Sequence, residues 1–216
     1  MFISTKRAVV VPQSEHLRMC GTLAYRWGND AFALPDMDRE AFVLAIATHD
    51  RAFAPFDTDE IGNIANDARE AQVRNWIESA YSDPHAELMV LSHLRRLMSY
   101  GDTPLLAERV AARFREVVQD NKIDLALIAQ ADSITAFCDV LSFDFCRETD
   151  RARSITVFAG ANKKTKITYR IEGGSIAVSP WPFSTSRIED YILGYAQEGY
   201  PSDLQPVLME YTICQG

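Results

Sequence analysis

The sequence has little cysteine, and none of it is arranged as metal or disulfide frameworks usually are. Its four cysteines are scattered, and none forms a Cys-x-x-Cys pair. A zinc–cysteine site is therefore not expected. Dispersed thiols are typical of reduced cytoplasmic proteins, in which cysteine packs like a small apolar residue, so we expect a cytoplasmic location. The four are Cys20, Cys138, Cys146 and Cys214.

Long hydrophobic runs and an excess of positive charge are also missing. No apolar run approaches the roughly 20 residues that a membrane-spanning helix needs, and the N-terminal segment has no signal-peptide core. The 22 Lys and Arg residues stand against 30 Asp and Glu residues, so the formal net charge is −8. An acidic surface disfavours nucleic acids and anionic membranes, and we expect neither as a partner.

Motifs that bind phosphate directly are absent as well. The chain contains no glycine-rich phosphate loop, no Gly-x-Ser-x-Gly elbow and no His-Glu-x-x-His run. Arg95 and Arg96 are adjacent on a predicted helix, and such runs are usually solvated faces rather than phosphate sites. A substrate with a phosphate group therefore needs a metal ion to offset the acidic field. The expected partner is a small-molecule substrate or ligand, and the oligomeric state stays open.

The hydrophobic periodicity changes near residue 150. A content of 47% hydrophobic and 24% charged residues is typical of a globular protein, and 216 residues suit one large domain. Residues before 150 repeat with helical spacing, whereas later residues alternate as strands do. We predict a mostly α fold with a small C-terminal antiparallel β-sheet (α+β). Residues 1–150 form a helical body, and 151–216 form a β-meander packed on it within one compact domain.

Local signals place the boundaries of several elements. A strand at 8–11 precedes a helix that Ser14 can cap, and Asp83 followed by Pro84 is a helix start. A long apolar helix opened by Asn121 is expected to be central. The predicted strands cover residues 154–159, 165–171, 175–179 and 187–195.

All four histidines lie in the predicted helical part, which concentrates titratable chemistry there. His49 and Asp50 are adjacent at a predicted helix end, and imidazole and carboxylate are both good ligands for Mn, Fe, Co, Ni or Zn. His16 is a candidate third ligand. A fourth is Asp139 or Asp132, which lie seven residues apart and so on nearly one face of the long helix.

Each candidate also has a purely structural interpretation. His16, His49 and Asp50 can serve as helix-end hydrogen-bonding and capping groups. Asp139 can accept hydrogen bonds from a neighbouring helix end or an arginine, since a carboxylate among apolar residues is costly to bury unpaired. His85 and His93 are interpreted as packed or half-exposed helix residues, with His93 also a possible partner of the site. Asp57 is interpreted as a solvated turn acid.

The order of these residues resembles the HD-domain superfamily of metal-dependent phosphohydrolases, which carry a His, a His-Asp pair and a late Asp on separate helices. The resemblance implies an HD-domain-like helical body and a divalent metal ion held by His16, His49, Asp50 and Asp139. It further implies Asp50 and His93 as the catalytic candidates, which orient the nucleophile or protonate the leaving group.

A second resemblance covers most of the chain. It rests on the His16 helix running into Trp27-Gly28-Asn29, the His49-Asp50 pair, residues 139–146 and residues 180–183. Together these segments resemble an uncharacterised bacterial family, domain of unknown function 3891. That family supplies an architecture but no substrate.

Three functions remain open at this point. The first is a metal-dependent phosphohydrolase that acts on a small phosphoester or a nucleotide. The second is a non-catalytic domain that binds a small ligand or a protein. The third is another metal chemistry, such as oxygenation at a mixed His and carboxylate iron site.

Overall fold

The computed structural model describes residues 1–58, 66–79, 81–99, 103–160 and 163–216. Within these residues the chain forms six α-helices, one 3-10 helix and seven β-strands. The helices are α1 (Gln13–Arg26), α2 (Arg39–Thr48), α3 (Asn66–Ile77), α4 (Pro84–Met98), α5 (Pro104–Asn121) and α6 (Leu125–Cys146), with the 3-10 helix at Arg51–Thr58. The strands are β1 (Phe2–Ser4), β2 (Val9–Val11), β3 (Ala152–Gly160), β4 (Lys163–Glu172), β5 (Ser175–Ser179), β6 (Arg187–Ala196) and β7 (Pro206–Gln215).

All seven strands belong to one mixed sheet with the order β1-β2-β6-β7-β5-β4-β3. The β5–β7 pair is parallel, and the other pairs are antiparallel. One face of the sheet is buried and the other is exposed. In β4, for example, the buried residues Ile167, Tyr169 and Ile171 alternate with exposed ones.

The predicted fold class is therefore wrong. The sheet is neither small nor C-terminal, because β2 from the N-terminus pairs with β6 and extends the sheet to β1. It is not purely antiparallel, because β7 returns parallel to β5. The helices accordingly do not form the expected HD-domain-like body. Strands of three residues are too short for an alternating pattern, which is why the sequence did not reveal the role of β1 and β2. The division of the chain into domains stays a prediction.

Helix α6 is the central helix of the fold, as its apolar sequence predicts. It packs on α1, α4 and β3. Within the described ranges it is the one helix whose length and composition would suit a membrane span. The core helix of a soluble protein meets the same criteria, and 50% of its most apolar stretch is buried inside this fold, so the signal is weak.

Two apolar clusters meet at the helices that carry the histidines. One includes Trp27 and Phe137 and joins α1, α2 and α6 to the sheet. The other includes Trp76 and Leu94 and joins α3, α4 and α5. Helices α1, α2 and α6 contact one another, and α4 contacts α2 and α6. The close approach of α1 and α2 depends on Gly21, where a Cβ atom would lie 2.9 Å from that of Ala47.

Carboxylates cap most of these helices. Asp83 accepts hydrogen bonds at the start of α4, as predicted, and Asp38 does so for α2. Asp124, rather than Asn121, caps α6. Helix α1 receives its cap from a distant residue, because the backbone N–H of Gln13 donates to the carboxylate of Asp57 at 2.7 and 2.9 Å.

Candidate metal centre

Four side chains that the sequence singled out converge where α1, α2, α4 and α6 meet. His16 lies in α1, His49 caps the C-terminal end of α2, and His93 lies in α4. Asp139 reaches them from the middle of α6. The three histidines are at most 1% exposed, and the Asp139 side chain is 18% exposed. The cluster is therefore buried but is not sealed from solvent at the carboxylate.

The carboxylate of Asp139 is the common neighbour of the three imidazoles. Its Oδ1 lies 3.4 Å from His16 Nε2 and 3.5 Å from His49 Nε2. Its Oδ2 lies 3.6 Å from His93 Nδ1. One carboxylate thus lies within 3.6 Å of three ring nitrogens.

The hydrogen-bond partner of His49 fixes its tautomer. Its Nδ1 lies 2.6 Å from the carbonyl oxygen of Ile46, and since a carbonyl only accepts, Nδ1–H is the donor. In the neutral ring, Nε2 then carries a lone pair directed towards Asp139. Among the described residues, this buried Nε2 has no hydrogen-bond partner.

The neighbours of His93 fix its tautomer in the same way. A terminal nitrogen of Arg96 lies 3.1 Å from Nδ1, and since a guanidinium only donates, Nδ1 is the acceptor. The other nitrogen, Nε2–H, donates to Oδ1 of Asp50 at 2.7 Å. Nδ1 thus accepts from Arg96 and also lies 3.6 Å from Oδ2 of Asp139.

Asp139 is ionised in this setting. Burial alone would raise its pKa, but the adjoining imidazoles of His16, His49 and His93 outweigh burial and hold that pKa well below its usual value. Burial lowers the pKa of His16. Burial acts on His49 in the same direction, but Asp139 and Asp50 outweigh it and raise the pKa of that imidazole.

These assignments leave the cluster short of positive charge. In the neutral form of His49, the Nε2 lone pair faces an ionised carboxylate, and such a contact between acceptors is unfavourable without a cation between them. A proton on His49 Nε2 supplies part of that charge, in line with its raised pKa. A divalent metal ion bound by the same atoms supplies more of it.

The atom separations suit such an ion. In a tetrahedral site with metal–ligand bonds of about 2.1 Å, neighbouring ligand atoms lie about 3.4 Å apart. The separations from Asp139 Oδ1 to His16 and His49 are 3.4 and 3.5 Å. His49, His93 and Asp139 form one possible ligand group, and His16, Cys20 and His49 form another.

Asp50 is in the cluster but has different contacts. Its Oδ1 accepts from His93, and its Oδ2 accepts from the side-chain amide of Gln13 at 3.1 Å. Burial would raise its pKa, but the charge of His93 and the hydrogen bond from it lower that pKa overall. Asp50 is thus placed to orient His93. Metal ligation by His16, His49, Asp50 and Asp139, and catalysis by Asp50 and His93, stay predictions.

Several other predicted residues lie elsewhere. Asp132 pairs with Arg96 and is not in the cluster. His85 lies at the start of α4, 31% exposed and 3.6 Å from Asp83. The interpretation of Asp57 as a solvated turn acid is wrong, because its side chain is only 15% exposed and caps α1.

Sequence reasoning missed three participants. Gln13 has no chemical signature, Arg96 was interpreted as part of a solvated face, and Cys20 as an ordinary packing residue. Cys20 Sγ lies 3.9 Å from His16 Nε2, four residues further along the same helix. That spacing puts both side chains on one face of α1, so the sequence did contain a signal for this contact.

Comparison with known proteins identifies the family but supplies no activity. No curated protein and no solved structure matches the chain. The HD-domain features that the residue order suggested have no support from a family match. The predicted resemblance to domain of unknown function 3891 is confirmed. The family described as "Protein of unknown function (DUF3891)" matches residues 3–193 of the 216-residue chain, which therefore belongs to it.

Proposed function

We propose that this protein is a metal-dependent phosphohydrolase that acts on a small phosphoester. The observation that carries the proposal is the set of fixed tautomers around Asp139. Because His49 Nδ1–H is held by the carbonyl of Ile46, the neutral ring turns its Nε2 lone pair towards the ionised carboxylate of Asp139, and a divalent cation satisfies both groups at once. The order of the residues, a His, a His-Asp pair and a late Asp, supports the same reaction class.

His16 Nε2, His49 Nε2 and Asp139 are the proposed ligands. They belong to three different helices, and two of the distances between them match a tetrahedral site. Three protein ligands are typical of catalytic metal sites, which keep a position open for water or substrate. A bound divalent ion lowers the pKa of water towards neutrality and offsets the negative charge of a phosphoryl group.

His93 is the proposed general base. Its Nδ1 lone pair faces the ligand cluster and can accept a proton from the attacking water. Asp50 holds the opposite ring nitrogen, Nε2–H, and stabilises the imidazolium that results, as the acid of a catalytic triad does. Gln13 holds the second oxygen of Asp50, so the carboxylate stays aimed at the ring.

The roles of ligand and base can be separated by substitution. Asp139→Asn removes a proposed ligand and should abolish metal binding. Asp50→Asn and His93→Gln should keep the metal and lose turnover. Asp124→Asn on the same helix is the matched control, since Asn caps a helix as well as Asp does.

The deciding experiment is metal analysis by mass spectrometry, followed by a phosphoester screen. The protein is purified without chelator and without a metal-binding tag. The proposed metal site is supported if the wild type and Asp124→Asn contain near-stoichiometric metal and Asp139→Asn contains none. Absence of metal even after reconstitution refutes the hydrolase and favours the ligand-binding alternative. Stoichiometric iron with oxygen consumption and no phosphoester turnover favours an oxygenase, because two histidines and a carboxylate also bind iron in such enzymes.

A further inference from the structure

A cavity of about 510 Å³ lies beside the cluster, between the end of α4 and the start of α6. Its charged wall contains Arg95 and Arg96, and its apolar wall is formed by side chains from α5 and α6. That volume is within the range of pockets that bind small molecules. The apolar side chains include Phe114, Leu125 and Ile128.

Arg95 is available to a ligand. Its guanidinium lies over the ring of Phe114 at 4.6 Å, which holds the charge at the cavity wall. In the described part of the chain, no carboxylate forms an ion pair with it. An arginine that is held by stacking and keeps its donors free is well suited to a phosphate group.

Arg96 connects the cavity to the proposed catalytic residues. It donates to His93 Nδ1 at 3.1 Å and forms an ion pair with Asp132, which also lines the cavity. In this arrangement Arg96 occupies the lone pair that His93 needs in order to act as a base. An anion in the cavity competes with both partners for the same donors.

We propose that this cavity binds the phosphate group of the substrate through Arg95 and Arg96, and that binding draws Arg96 away from His93. The apolar wall then receives the organic part of a phosphate monoester. The anion site itself is independent of a metal, but its role as the substrate pocket rests on the proposed function. Arg96 is accordingly a positioning residue that frees His93 when an anion is present.

The test uses inorganic phosphate and metal-free, full-length protein, with binding measured by calorimetry. Arg95→Gln and Arg96→Gln should each weaken phosphate binding by about tenfold, since each removes charged hydrogen bonds. Arg109→Gln is the matched control, because Arg109 is 58% exposed and lies outside the cavity. Its substitution changes the net charge of the protein by the same amount. Asp132→Asn should tighten binding by about threefold, as it removes a competing and repelling charge, whereas Asp124→Asn should leave it unchanged.

The release of His93 has its own readout. Nuclear magnetic resonance of ¹⁵N-labelled histidine should show phosphate shifting the His93 Nδ1 resonance in the wild type and not in Arg96→Gln. Equal effects of Arg95→Gln, Arg96→Gln and Arg109→Gln would mean a non-specific charge effect and would overturn the site. Phosphate binding without a His93 shift would overturn the release. Either failure leaves the metal analysis of Asp139→Asn unaffected, so the two proposals fail separately.

Discussion

Asp139→Asn is the substitution that tests the cluster most directly. The two side chains have nearly the same shape, so the change removes charge without opening a cavity. Oδ1 of Asp139 is shared by His16 and His49, and one substitution therefore alters both contacts. In metal-free protein, a proton on His49 Nε2 supplies the charge that faces Asp139. We therefore expect a loss of about 1.5–3 kcal/mol in the free energy of unfolding, the usual worth of a hydrogen bond to a charged group.

The effect should be larger with metal present. At a free zinc concentration of 100 times the dissociation constant, a ligand that binds only the native state stabilises it by about 2.7 kcal/mol. Loss of one of three protein ligands should weaken binding by at least about 100-fold, since even supporting residues cost 10- to 100-fold. At the same zinc concentration the variant then gains only about 0.4 kcal/mol.

Urea unfolding with chelator gives the free energy of unfolding, and thermal unfolding with chelator and with zinc gives the thermal midpoint, both followed by circular dichroism. The wild type and Asp124→Asn should gain equally from zinc, by about 5–10 °C in thermal midpoint for a chain of this size. Asp139→Asn should gain about 1–2 °C or less. An equal zinc effect in all three proteins would falsify the assignment of Asp139 as a ligand. It would mean that zinc binds elsewhere.

Three further predictions follow from the same geometry. Asp50→Asn should retain metal and lower turnover by about 10²–10⁴-fold, the usual contribution of acid–base catalysis; loss of metal in this variant, or in His93→Gln, would instead make that residue a ligand. In metal-free protein, the raised pKa of His49 contributes stability that is present below pH 6.5 and is lost as the pH rises through the raised value. His49→Gln should remove that part of the pH dependence of unfolding, and an unchanged profile would contradict it. Gly21→Ala should lower the free energy of unfolding by about 1–3 kcal/mol, because the added methyl group overpacks against Ala47. Adding Ala47→Gly to that variant should restore part of the lost stability. A Gly21→Ala variant that is more stable than the wild type would contradict the close approach of α1 and α2.

Local chemistry explains which elements the sequence predicted well. Asp83 and Pro84 begin α4 as expected, since a side-chain cap and a proline act within one turn. Strands β3 to β6 lie close to their predicted bounds because their alternation is long enough to detect. The cap of α6 is Asp124 and not Asn121, a difference of a few residues, because several polar residues there are suitable caps.

The sequence by itself determined the helices, the main strands and the residue types of the site, because propensity, capping and periodicity act over a few residues. The tertiary structure decided how these parts combine. Only long-range pairing joins β2 to β6 and sets β7 parallel to β5. Only the packing of four helices sets Asp139 among three imidazoles and turns Asp50 towards His93, since a side chain's partners depend on contacts between segments that are distant in the chain.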